Sequence, residues 1–524
     1  MRRSTWGPVS KCFLMLALVV ICSDIAFSQD LTAATNSTAV GTPNTSEVLK
    51  KIDQLVEQNR QLEAQNQELM REIQSLRGAY ALEADAAALA ADPTPTIKSA
   101  TLTTVRPSPP AATSLSTNPS LPSNQEQQTR WGTYTPNLGF KLANTEHGDL
   151  SLSIYTYVRY LNQRALNSTY TNYFGVVSTL QQRQDVQIQK LQMKFLGWIM
   201  NQKFRYFLYA WTSNASQGLP AQVVLAGNLT YNFDRHFSFA GGIASLPGTR
   251  SVEGNFPFWL AVDSRLITDE FFRPSYTTGF WAKGEIVKGL SYNTMLGNNL
   301  STLGVSAAQL NNKLNTTATA LVWTPTGDFG LGFGDFENHE RVGTRLAAHY
   351  TQSEEDRQEQ PNSDSFENTQ IRLEDGTVIF TPNIFGPGVL INDVTYKMTA
   401  FDGGIKYRGY SVDTEYFLRW LNHFEGPGAA GIPSIFSQGY QMQASAMVLP
   451  QSLQVYLGGS HLWGKYGSPF DFRAGVNYFP WHNKVLRWNT EFLYLDRSPV
   501  GYTAVPFALG GTGPVFHTNV ELAF

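Results

Sequence analysis

The chain has 524 residues, 15% of them charged, and its 39 basic and 42 acidic side chains leave a net charge of −3. That balance excludes the basic surface of a nucleic-acid binder. A mean hydropathy of −0.23 excludes a bundle of membrane-crossing helices, which needs repeated apolar runs of about 20 residues. The only cysteines are Cys12 and Cys22, so nothing further along can build a disulfide framework, a thiolate metal site or a thiol nucleophile.

Residues 1–28 have the layout of a secretory signal peptide. Met1-Arg2-Arg3 supplies a basic start, Cys12 to Cys22 is an apolar run, and Ala26-Phe27-Ser28 offers small residues before Gln29. The run is too short to cross a ~30 Å hydrocarbon layer at ~1.5 Å per residue.

Residues 46–82 carry apolar side chains at alternating spacings of four and three. Ile52, Asn59, Asn66 and Ile73 hold one seam position, and Leu55, Leu62, Leu69 and Leu76 the other. This heptad predicts a helical coiled coil, and its residue choice is the one associated with parallel dimers. Residues 83–130 then turn rich in Ala, Pro, Ser and Thr, with seven prolines between Pro93 and Pro122, which predicts an extended spacer.

From Trp131 to Phe524 the pattern is two-fold alternation over about ten residues, broken by turn chemistry. Phe401, Gly403, Ile405 and Tyr407 alternate with Asp402, Gly404, Lys406 and Arg408; after the turn at Gly409, Val412, Thr414, Tyr416, Leu418 and Trp420 continue the series. The alternation predicts strands near 150–161, 184–198, 203–212, 221–233, 237–246, 278–287, 290–298 and 316–324. Eight more follow near 340–350, 395–408, 410–421, 439–449, 453–463, 470–479, 485–496 and 514–524. Connections after even-numbered strands are mostly tight, except 324–340, which is read as containing part of a strand; those after odd-numbered strands are generally long.

An even strand number with loops sorted by end fits a closed, 16-stranded antiparallel transmembrane β-barrel with lipid outside and water inside. Ten residues at ~3.3 Å, tilted by ~45°, cover the ~25 Å apolar band of such barrels. Phe516, Thr518, Val520, Leu522 and Phe524 alternate outward at the C-terminus, a pattern that looks like the assembly signal of bacterial outer-membrane barrels. That makes the barrel-assembly machinery, engaged through Phe524, an expected partner.

The succession from coiled coil through spacer to barrel resembles the trimeric porins of the phosphate-selective porin O/P group, including DcaP-like porins with a periplasmic coiled coil. Asp263-Ser264-Arg265-Leu266-Ile267, then Phe271-Phe272-Arg273-Pro274 to Gly279, looks like that family's stretch of Arg, aromatic, Pro and Gly before a strand. The resemblance implies a homotrimer in the outer membrane, with the coiled coil in the periplasm, which can reach peptidoglycan. It implies passive, anion-favouring diffusion of small hydrophilic solutes.

It also implies that the third long loop, 247–277, folds into the lumen. Its charged residues Arg250, Glu253, Asp263, Arg265, Asp269, Glu270 and Arg273 are the candidate constriction, where opposed charges across a narrow pore can select ions. Basic residues in lumen phase on the strands are Arg159, Arg205, Lys283, Arg345, Lys406, Arg408, Arg419, Arg473 and Arg487. Lumen-phase Asp402, Asp413, Glu415, Glu491 and Glu521 oppose a simple phosphate path. No HExxH, GxSxG, P-loop or dinucleotide fingerprint is present, so the expectation is a non-enzyme with no cofactor and no metal. The alternative is a structural envelope tether or adhesin, anchored by the barrel and contacting the cell wall through the coiled coil.

Overall fold

A computed structural model describes residues 134–135, 139–212, 223–252, 258–274, 276–300, 314–357, 371–501 and 508–524. The chain divides into two units, 1–112 and 113–524, and the described residues all belong to the second. The predicted signal peptide, coiled coil and spacer all lie outside them.

Sixteen antiparallel strands form one closed sheet. They are β1 (Gly148–Asn162), β2 (Gln184–Ile199), β3 (Asn201–Thr212), β4 (Val223–Asn232), β5 (Ser238–Ser245), β6 (Tyr276–Val287), β7 (Leu290–Gly297) and β8 (Thr316–Trp323). The second half runs through β9 (Gly343–Asp356), β10 (Asp393–Tyr407), β11 (Tyr410–Glu425), β12 (Ile435–Leu449), β13 (Leu453–Gly464), β14 (Phe470–Tyr478), β15 (Leu486–Asp496) and β16 (Gly513–Ala523). Each pairs with its sequence neighbour, and β16 pairs with β1 from Phe516↔Asn162 to Ala523↔Tyr155. The backbone groups of Phe524 and Ile154 then bond reciprocally. Closure leaves no sheet edge, which is what a strand assembly in hydrocarbon requires.

Chain entry is fixed beside this seam. A short strand, Gly139–Thr145, pairs with the first residues of β1. Buried Lys141 forms an ion pair with Asp149, and the Phe140 ring meets that of Phe524 edge-on at 5.6 Å.

The alternation sorts side chains by solvent. On β16, Phe516 and Val520 are 40% and 48% exposed, whereas His517 and Glu521 between them are fully buried. Outward aromatics gather near both rims: Trp323, Tyr410, Trp481 and Trp488 at the short-turn end, and Trp463, Phe470 and Tyr494 at the long-loop end. Apolar groups outside and ionic groups inside invert the dressing of a water-soluble fold, where exposed apolar surface costs about 25 cal/mol per Å².

All sixteen predicted strands are present, with shifted ends. Strand β9 reaches Asp356 rather than 350, because Glu355 turns inward, buried, and accepts from the Leu300 amide and the Ser353 hydroxyl. It starts later than expected because 324–342 is not strand but a lumenal insert. This insert rises into the barrel from the short-turn end: Phe329, Gly332, Gly334 and Asp335 are buried, and Gly330, Gly332 and Gly334 all take positive φ. A side chain at Gly332 would strike Phe258, and one at Gly334 would meet Gln454.

Candidate functional site

The long loop 246–275 enters the barrel from the opposite end. Nearly every described residue in it is buried, including the one-and-a-half-turn helix α1 (Ile267–Phe272). Its backbone carbonyls are seized by arginines of the barrel wall. Arg159 donates to Val262 O at 2.7 Å, Arg473 to Ser264 O at 3.1 Å and also to Arg265 O, and Arg487 to Trp259 O at 2.6 Å. Arg419 holds a different inserted segment, donating to Arg372 O at 2.8 Å while its guanidinium lies 4.1 Å over the Phe271 ring. An inserted loop carries many carbonyls that strands cannot satisfy, and a guanidinium with five donors meets that need.

The loop's own charges pair locally. Asp263 binds Lys190 at 2.7 Å and accepts from the Tyr157 hydroxyl at 2.5 Å. Arg265 stacks on Trp259 at 3.9 Å and pairs with Glu270 at 3.3 Å and Asp269 at 3.7 Å. Arg273 binds Glu270 at 2.9 Å. Buried Arg250 lies beside Asp413 at 3.5 Å. Glu253 lies outside the described residues. The geometry thus brings these charges together as ion pairs inside the loop or between loop and wall, rather than as two opposed rows facing a gap.

Among the strand cations, Arg345 is bidentate to Asp402, with a shorter contact of 2.7 Å, Arg487 is bidentate to Glu521, and Lys406 is fully buried. Arg408 departs from the set. It sits in the β10–β11 turn at φ 47°, exposed, with its guanidinium on neighbouring Tyr407, so it does not face the lumen. Arg205 and Lys283 occupy inward positions, paired across the sheet with Trp198 and Ser238.

This leaves the lumen wall with two unlike halves. From β9 round to β1 the inner face is sealed: Arg345, Glu415, Arg473, Asn489, Glu491 and Asn519 are all buried. Asn477, Asn489 and Asn519 link amide to amide across three strands at 2.8–2.9 Å. From β2 to β7, inward-facing Lys194, Phe207, Asn228 and Lys283 are only half-buried and meet solvent, while Leu196, Trp211, Ala240 and Trp281 on the same wall are covered. Neither the Lys194 nor the Lys283 ammonium has a hydrogen bond or ion pair among the described residues.

Lys194 escapes a simple reading of the sequence. Outward Val186 and Ile188 set one parity, but a bulge at Lys190, with φ 49°, flips it, so that Leu191 and Met193 point out and Lys194 points in. The apolar spacing of three between Ile188 and Leu191 is the signal for that bulge.

One cluster has the composition of a metal site. His349, Asp402 and Glu415 bring donor atoms within 4.8 Å of one another. Yet His349 Nδ1 faces Pro247 O at 3.0 Å and its Nε2 faces Asp402 at 2.7 Å. Both nitrogens meet acceptors, Arg345 takes the rest of Asp402, and Glu415 accepts from the Arg250 amide and Gln441. No lone pairs converge on a vacant point; the cluster anchors the loop, so the residues do not fit a resident cation.

At the base of the lumenal insert, buried Asp335 takes an ion pair from His339 and accepts from the Gly409 amide at 2.7 Å. Burial works against this carboxylate, but those hydrogen bonds outweigh it and hold its pKa below the usual range. The hydrogen bond to Asp335 likewise raises His339 above an ordinary histidine.

No family model matches the chain, and no curated protein matches it. Among solved structures it is similar to OmpT, an outer membrane protein of Vibrio cholerae, at 9% identity over 72% of this chain and 100% of that one, with a TM-score of 0.45. An anion-selective porin from Comamonas acidovorans is 10% identical over 72% and 100%, with a TM-score of 0.44. The outer membrane channel DcaP of Acinetobacter baumannii is 8% identical over 73% and 99%, also with a TM-score of 0.44.

Proposed function

We propose that the protein is an outer-membrane porin, through which small hydrophilic solutes diffuse passively along an off-centre aqueous passage. The observation that carries this reading is the solvent-reached inner wall of β2–β7, inside a barrel whose outer wall is apolar. The described part of the loop 246–275 fills the other side, narrows the passage and holds it against the β2–β7 wall. Lys194 and Lys283 face that passage with no carboxylate partner among the described residues, so the local field favours anions.

Engagement of the assembly machinery by Phe524 and a periplasmic coiled coil reaching peptidoglycan belong to the same proposal, supported by the sequence patterns; trimeric assembly and membership of the O/P group belong to it through the family resemblance, the heptad itself being of dimer type. Chemistry by turnover gains no support from the His349, Asp402 and Glu415 cluster, where both imidazole nitrogens already face acceptors.

Purified full-length protein in planar bilayers tests the reading. The expected result is discrete, ohmic conductance steps. Silent barrels, in preparations whose insertion is verified, would instead favour the tether, for which a well-filled lumen is suited.

A further inference from the structure

We infer that Asp328–Phe336 is a second pore-narrowing element, docked from the short-turn end onto the inserted loop, with Arg250 and Lys406 as its positioning residues. The inference rests on the porin reading above and extends it to a segment that such a reading alone would treat as a turn.

Three observations carry it. The connection is far longer than its neighbours at that end: 324–342 here, against Met200 alone between β2 and β3 and Arg408-Gly409 between β10 and β11. It is held rather than loose. One carbonyl, Gly332 O, accepts from both Arg250 at 2.6 Å and Lys406 at 3.0 Å. The Arg250 guanidinium lies 4.9 Å from the Phe333 ring centre and the Lys406 ammonium 4.5 Å from that of Phe329. Finally, it touches the loop backbone directly, the Phe333 amide donating to Phe258 O at 2.9 Å. Two segments from opposite mouths thus meet inside the barrel near its short-turn end, where Lys406 and Gln454 each stand one residue from a strand end, and a cation from each of loop and wall fastens them at a single acceptor.

The glycine spacing explains how a turn can do this. Gly330, Gly332 and Gly334 take φ of 73°, 74° and 81°, coiling the chain tightly enough to enter the lumen. The absence of a side chain at Gly332 lets Phe258 approach. Lys484 closes the exit of the segment, binding Glu337 at 2.8 Å.

The test compares single-channel conductance of the full chain with three variants: deletion of 329–334, Gly332→Val, and the pair Arg250→Ala with Lys406→Met. Each is first checked for a heat-modifiable barrel on gels. Conductance follows the narrowest cross-section, so the deletion is expected to raise it about twofold or more, with the point variants raising it less and adding flicker. A silent parent beside a conducting deletion also supports the inference, as a complete block relieved. A conducting parent with an unchanged deletion overturns it and leaves the porin reading standing. Silence in both overturns the two together. Failure of all three variants to assemble overturns it as well, because the segment would then be part of the barrel's fold rather than a separable narrowing.

Discussion

Replacing Lys194 and Lys283 together by glutamate should turn an anion-favouring pore into a cation-favouring one. Both ammonium groups stand on the solvent-reached wall, and neither has an ion pair among the described residues, so their fields reach a passing ion unopposed. A unit charge ~10 Å from an ion contributes about 0.4 kcal/mol at water's dielectric and about 1.7 kcal/mol at an effective value near 20. Each reversal doubles that change, and two reversals suffice to alter the sign of a modest preference. The reversal potential in a salt gradient reads it, and dilute salt enlarges the effect because screening weakens as the Debye length grows. Arg473→Gln serves as the contrast. Its guanidinium is buried and committed to Ser264 O and Arg265 O, so selectivity should hardly move. Unchanged selectivity in the double lysine variant, or a larger shift in Arg473→Gln, would place the passage on the wrong wall.

The second large effect concerns stability. Arg487→Ala should destabilise the barrel by about 3–5 kcal/mol, the range for removing one partner of a buried ion pair. Arg487 grips Glu521 through two nitrogens, at 2.5 and 2.9 Å, across the β15–β16 pair. Its remaining nitrogen holds Trp259 O of the loop. Truncation leaves a fully buried Glu521 carboxylate with the Tyr155 hydroxyl at 2.8 Å as its remaining short contact. Arg487→Lys should recover part of the loss, since an ammonium keeps the charge but cannot span both oxygens. Arg408→Ala, at an exposed turn, should change stability little. The midpoint of heat-modifiability in detergent separates these outcomes; equal midpoints for Arg487→Ala and Arg408→Ala would contradict the fastening role of the wall arginines.

The contrast between Arg487 and Arg408 shows what alternation can and cannot reveal. Period-two spacing sorts Phe516, Val520 and Phe524 from His517 and Glu521, because a strand between two solvents has no other way to satisfy both. It overreaches at Arg408, where the strand has already become a turn, and it fails at Lys194, where one bulged residue reverses parity. The partners of the loop charges were not legible. Asp263 meets Lys190, and Arg250 meets Asp413, across separations that only the closed barrel brings together. The lumenal insert was hidden for a different reason: the glycines at 330, 332 and 334 carry the usual signature of a surface turn, and only its length marked it as unusual. Inward phase placed the strand arginines on the lumen wall. Most of those arginines hold carbonyls of inserted segments, which sequence cannot show.

Charged thiol reagents give the most direct test of which wall meets water, using single cysteines at Asn228, Leu229 and Asn519 in a background lacking Cys12 and Cys22. The expected result is a drop in current when the reagent reaches Asn228→Cys, with no response from lipid-facing Leu229→Cys or from Asn519→Cys under the sealed half. Modification of Leu229→Cys or Asn519→Cys with Asn228→Cys left untouched would contradict the central claim that water runs inside this barrel along β2–β7.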